Sequence, residues 1–204
     1  MTSICERCGR GLNCMEGARD PKICDRCLVM GNLERDRAEV LRKRLDSIPL
    51  EYRGKAIAKT VKAKAGLENL HSVNLYVCGP RNSTTPFRWS VLEDVWISKN
   101  DAKVVSVTEW MTVNLASGIT KHQMIAELME YKGYLIIDSD DYAGDDVARS
   151  IVYSSLQIRY TKGRYSCLIL RAESLEVERS YLDDKMKALI SDAGYKSIRL
   201  YGKE

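Results

Sequence analysis

From residue 73 onward the sequence alternates short apolar runs with longer stretches of helical spacing, and this alternation limits the fold more than any other feature. VNLYVC (73–78), KVVSV (103–107), YLIID (134–138), YSCLIL (165–170) and SIRLY (197–201) have strand length and are rich in β-branched and aromatic residues. Between them, FRWSVLEDVWISKN, HQMIAELMEYKG, DDVARSIVYSSLQIRYTKG and a segment around Leu182–Asp192 space their apolar residues as helices do. Strands that are apolar throughout belong inside a sheet covered on both faces, so the pattern predicts an α/β fold with a parallel sheet. Ligands of such sheets gather at the C-terminal ends of the strands. Two polar segments fall there: GPRNSTT (79–85) after the first strand, and SDD (139–141) after the third.

The N-terminus has a different chemistry. CERCGRGLNCMEGARDPKICDRC (5–27) contains two Cys-x-x-Cys knuckles, Cys5/Cys8 and Cys24/Cys27, with fifteen residues between them. Two such knuckles can close a tetrahedral thiolate site around one structural Zn²⁺, with no open position for catalysis. Gly9 and Gly11 suit the first tight turn, and Cys14 is a spare able to replace one of the four. The first residues, MTSICERCGR, include no apolar signal region, and no run has the length of a membrane span. The chain therefore reads as cytoplasmic, where thiols stay reduced and metal binding is favoured over disulfides. Cys78 and Cys167 lie inside apolar strands and read as core.

Charge divides the chain. Residues 1–66 hold 15 Lys and Arg against 9 Asp and Glu, whereas the remainder holds 17 against 19. The segment after Cys27 reads as a helix with Asn32 as N-cap and Pro49 past its end, decorated by Arg35, Arg37, Arg42, Lys43 and Arg44. A second basic stretch carries Lys55, Lys59, Lys62 and Lys64. Either these residues track phosphates of DNA or dock a partner, or they are an ordinary solvated face. The expected organisation is a zinc module over 1–31, a basic helical connector over 32–70 and an α/β domain over 71–204.

Taken in order, IPLEYR (48–53), LYVCGP (75–80), YLIID (134–138), LQIRYTKG (156–163) and GYKSIRLYG (194–202) resemble the bacterial replicative helicase loaders of the DnaC/DnaI type and the related IstB-type ATPases. The resemblance covers roughly residues 46–203 and implies an AAA+-like, P-loop-type fold. It also implies ATP and Mg²⁺ as cofactors, and a replicative helicase or a loader ATPase as partner. The N-terminal cysteines agree with it, since some members carry a zinc-binding helicase-interaction domain there.

The nucleotide stations depart from the family pattern. A P-loop ends in Gly-Lys-Ser/Thr, where the amides and the Lys hold phosphate and the hydroxyl binds Mg²⁺. With Gly79 on the first motif glycine, Thr84, Thr85 and Pro86 occupy those last three positions, and Arg81 starts too early in the loop to replace the Lys. Asp138 stands where the metal-binding carboxylate belongs, but Ser139 follows it in place of the catalytic acid. Arg171 and Ala172 fall where a polar sensor is expected. Lys185 falls at the arginine-finger position, and Ala188 or Leu189 at the second sensor. Gly79, Arg81, Thr84, Thr85 and Asp138 thus outline a degenerate nucleotide site.

Three functions stay open on these residues: a catalytically silent loader-like adaptor that would suit a phage or mobile element, an active loader with an unorthodox loop, and a zinc-ribbon DNA-binding protein. The acidic residues Asp138, Asp140, Asp141, Asp145 and Asp146 read either as a cation site or as a solvated loop. Trp89, Trp96 and Trp110, with Phe87 and Met111, read as packing against the sheet, with a tryptophan beside Arg88 as a possible base-stacking group. His71 and His122 are isolated.

Overall fold

The computed structural model describes Glu6 and residues 25–54, 67–139 and 145–201. Two compact units make up the chain, 1–47 and 48–204. In the first, helix α1 spans Asp25–Asp46. Asn32, expected as its N-cap, lies well inside the helix and accepts a hydrogen bond from Arg35 Nη2 at 2.7 Å. The helix therefore begins before the apolar spacing does, and the polar residue is absorbed by an i,i+3 contact. Lys43 pairs with Glu39 one turn away at 2.8 Å, and Lys43 and Arg44 complement the negative end of the helix dipole.

The second unit is built on five parallel strands: β1 Leu75–Gly79, β2 Ala102–Ser106, β3 Tyr134–Asp138, β4 Ser166–Arg171 and β5 Lys196–Arg199. Their order across the sheet is β2-β3-β4-β1-β5. Every neighbouring pair is parallel, with Gly79 opposite Arg171 and Ser106 opposite Asp138. Among the described residues of this unit, five α-helices come before the one that leads into the final strand: α2 Arg81–Ile97, α3 Val107–Ala116, α4 Lys121–Glu130, α5 Asp146–Thr161 and α6 Leu175–Tyr181. Helix α7, Asp184–Asp192, leads into β5. No helix among the described residues is long and apolar enough to cross a membrane.

Both faces of the sheet are covered, as continuous apolar strands require. Tyr76, Cys78, Leu135, Ile137, Leu168 and Leu170 share one core with Met124 and Leu128 of α4, Ile151 and Leu156 of α5, and Met186 and Leu189 of α7. The alternate residues Leu75, Val77, Ile136, Cys167 and Ile169 are equally buried on the other face, where α2 touches β1, β3 and β4. Burial raises the Cys167 thiol well above its ordinary range, as befits a core residue.

Several elements depart from expectation. Val107 begins α3 instead of ending β2, because Ser106 adopts the extended N-cap conformation. The helix expected around Leu182–Asp192 is Asp184–Asp192, capped by Asp183, and an unexpected one, Leu175–Tyr181, precedes it with its own cap from Ser174. Ile48, placed by sequence in the connector, belongs to the second unit and is buried.

Candidate functional site

The segment expected to form a phosphate loop is helix. Pro80 is the sole residue between β1 and α2; its carbonyl accepts the first helical bonds, from Ser83 N at 3.0 Å and Thr84 N at 2.9 Å. Glycine, prolines and hydroxyl residues give GPRNSTTP a loop-like composition. Phe87, Val91 and Val95, at helical spacing, are fully buried, and this packing draws the preceding turn into the helix. Pro86 sits inside α2 and forgoes one backbone bond. Thr84 is buried with its hydroxyl donating to Pro80 O at 3.1 Å, and so is turned away from solvent. Gly79 is small for a packing reason: a Cβ there would lie 2.9 Å from Cβ of Leu200.

Asp138 ends β3 and is almost wholly buried. Its Oδ2 accepts from Arg88 Nη1 of α2 at 2.6 Å and from Arg171 Nη2 of β4 at 2.7 Å. The strand register explains one partner, since Asp138 is level with Ile169 and Arg171 extends beyond it toward the strand ends. The other arrives because Arg88 follows Phe87 on the helix that covers β1, β3 and β4. Its guanidinium also lies 4.8 Å from the centre of the Trp89 ring, a cation–π distance. Two guanidiniums on one oxygen satisfy a buried carboxylate without metal. Ser139, next in the chain, is fully buried, and its Oγ has no hydrogen-bond partner among the described residues.

Above the clamp is a cavity of about 600 Å³, lined by Tyr52, Arg81, Asn82, Thr85, Arg88, Ser106, Glu109 and Arg171. Arg81 and Thr85 therefore do meet at one site with the clamp, whereas Thr84 faces the interior. Arg88 is the clamp residue that sequence reasoning missed. Its signal was a cation set directly between Phe87 and Trp89 in a helix that buries its apolar face.

The remaining expectations scatter. Cys27 stands in the first turn of α1, half-buried, while Cys5, Cys8 and Cys24 lie outside the described residues. Arg42 and Lys43 are exposed and Arg44 half-buried on α1; Lys55, Lys59 and Lys62 lie outside the described residues. Asp145 caps α5 by accepting from Val147 N and Ala148 N, and Asp146 pairs with Arg149. Asp140 and Asp141 lie outside the described residues, and no group of three metal-ligating side chains occurs among the described ones. Lys185 is exposed, and Leu189 packs into the core. Trp96 is buried with its indole N–H on Ala102 O.

No family model and no characterised protein matches the sequence. Known structures do match the fold. The DnaC helicase loader superposes with a TM-score of 0.50 at 12% identity, over 76% of this chain and 95% of that one. The fold is AAA+-like. AMPPCP-bound DnaA from Aquifex aeolicus gives a TM-score of 0.51 at 12% identity over 76% of this chain, and DnaA bound to AMPPCP and single-stranded DNA gives 0.52 at 10% over 78%. This chain spans about half the length of those two DnaA structures, 49% and 50%. At these identities the likeness shows the AAA+ architecture alone, and the chemistry has to be argued from the side chains.

Proposed function

We propose that this chain is a replication adaptor: a loader-like AAA+ protein that docks a replicative helicase, or a loader ATPase, without an ATP cycle of its own. The observation that carries the reading is the double-arginine clamp on Asp138. To hold Mg²⁺ through Oδ2, Asp138 would have to give up the oxygen that two largely buried guanidiniums share. Breaking a buried pair in that way costs about 3–5 kcal/mol. Thr85 brings no charge to the lysine position, and Pro86 brings no hydroxyl to the Mg²⁺ position. ATP and Mg²⁺ are therefore not cofactors in this reading.

Docking falls to the N-terminal unit. Structural Zn²⁺ on Cys5, Cys8, Cys24 and Cys27 would order a module too small to hold itself together. The positive end of the α1 dipole favours a thiolate at Cys27. Arg42, Lys43 and Arg44 give α1 a basic end suited to an acidic partner surface or to DNA. The experiment is co-elution of the full chain with a purified replicative helicase in the absence of nucleotide, alongside an ATP turnover assay. Co-elution that is lost in Cys5→Ser, with turnover at background, is the expected result. Turnover that disappears in Asp138→Ala would overturn it in favour of an active loader. Retention on DNA alone, falling steeply with salt, would favour the DNA-binding reading.

A further inference from the structure

The N-terminal end of the sheet holds two guanidiniums side by side with no carboxylate to pair them. Arg159 of α5 is fully buried, and its Nη1 donates to the Tyr131 carbonyl at 2.6 Å. Arg164, in the turn before β4, donates from its own Nη1 to the same carbonyl at 3.4 Å and to that of Met129. The two charges oppose each other: burial first, and then Arg164, pulls the Arg159 pKa down to about 10. Buried charges are ordinarily paired, but neither arginine forms an ion pair among the described residues. While Nη1 of Arg164 is anchored, its Nε and Nη2 have no partner among those residues. One edge of a rigid, planar fork is thus held in place and open. Outside the pair lies a cavity of about 540 Å³, within the range of small-ligand pockets. Arg164 and Lys132 line it from adjacent turns, which enter the neighbouring strands β4 and β3 about 5 Å apart. Tyr131, Tyr134 and Tyr165 make its walls aromatic. The Tyr131 ring lies against Gly133, where a Cβ would be 2.5 Å from its hydroxyl oxygen. Asp101 and Glu130 also line the cavity, yet neither pairs with Arg159 or Arg164.

We propose that this cavity binds a carboxylate carried on an aromatic or other apolar body, with Arg164 as the bidentate donor and Lys132 as a second cation. The anion would supply the counter-charge that the two arginines lack. Carboxylate fits better than phosphate because the open edge of Arg164 is planar and matches two oxygens in one plane. Asp101 and Glu130 also repel a dianion more strongly than a monoanion. The tyrosine rings give the apolar body its contact surface, and their carbonyl neighbours are already engaged by Arg159. The carboxylate can come from a free acid or from the end of a peptide chain. The site lies at the opposite end of β3 from Asp138, goes beyond the adaptor reading and does not depend on helicase docking.

The test is nitrogen–proton correlation NMR of the full chain, titrated with phenylpropionate, its neutral amide, inorganic phosphate and a short glycine peptide ending in phenylalanine. The backbone amides of Gly133 and Gly163, which line the cavity, report on binding. Saturable shifts of both are expected with millimolar phenylpropionate and none with the amide. Arg164→Gln should weaken binding about tenfold or more, the scale of one charge-assisted contact. Because Arg164 also braces the Met129 and Tyr131 carbonyls, Lys132→Ala is the second variant. Lys132 is exposed, so its removal should leave the melting temperature unchanged and weaken binding about threefold. Tighter binding of the peptide than of phenylpropionate would assign the carboxylate to a chain end, and the reverse to a free acid; both support the site. Absence of shifts at the two glycines with every probe overturns it. So do equal binding of acid and amide, affinity unchanged in both variants, or phosphate that displaces phenylpropionate at a lower concentration.

Discussion

The sheet buries guanidiniums at both ends of its strands, and the two places treat them differently. At the N-terminal end, Arg159 of α5 is fully buried and spends every donor: Nε on Ser166 Oγ, Nη1 on the carbonyls of Leu128 and Tyr131, and Nη2 on those of Gly133 and Tyr165. It ties the end of α4 to the starts of β3 and β4. Burial, with Arg164 nearby, pulls its pKa down to about 10, so it stays charged at neutral pH. A cavity of about 540 Å³ lies outside it, but the Tyr131, Gly133 and Tyr165 carbonyls on that wall are already taken. At the C-terminal end, Arg88 and Arg171 share one carboxylate oxygen and line the other cavity. A guanidinium held by carbonyls joins segments of backbone, whereas the pair at Asp138 converges on a single side-chain oxygen.

The sharpest way to break this contrast is Arg159→Ala. It removes a donor from four backbone carbonyls and a buried hydroxyl, and should cost roughly 5 kcal/mol in urea denaturation. Arg159→Lys should rescue little, because one ammonium cannot reproduce the fork. A rescue to within about 1 kcal/mol would mean that charge alone is required there.

Asp138→Asn is the next largest. It removes the charge that Arg88 and Arg171 share and should destabilise by about 3 kcal/mol. Urea denaturation of the variant beside the parent checks it. A loss below about 1 kcal/mol would mean that the shared carboxylate is not what holds the two guanidiniums in place.

Glu178 of α6 supplies a smaller, pH-dependent effect. Burial acts to raise its carboxyl, but hydrogen bonds from Arg199 and Tyr76, joined by Tyr201, outweigh it and hold the group below the usual carboxylate range. A depressed folded pKa gives stability that is present above the ordinary carboxylate range and is lost as pH falls through the folded value. Acid titration of the melting temperature should therefore show a loss at low pH that is smaller in Glu178→Gln. Arg81→Ala is the smallest case for the fold, within about 0.5 kcal/mol of the parent, because its side chain is exposed.

The sheet was largely legible in the sequence. Residues 134–138 were placed without error, and the other strands fell within one or two positions, because continuous apolar runs have one natural destination. The site was half legible. Asp138 stood out as a carboxylate at a strand end, but its partners lie fifty and thirty-three positions away in the chain. Only the packing of α2 and the register of β4 bring them together. GPRNSTTP misled because composition reports local preference, whereas burial of Phe87 and its helical neighbours decides the conformation.

The one-residue junction at Pro80 has a kinetic meaning. A phosphate loop of ordinary length can wrap its ligand after contact; here the proline ring fixes φ at −65° between a central strand and a packed helix, leaving no slack to wrap with. Any anion that enters must meet side chains already in position. Association should then be a single fast phase set by diffusion and charge, with no slow closing step behind it.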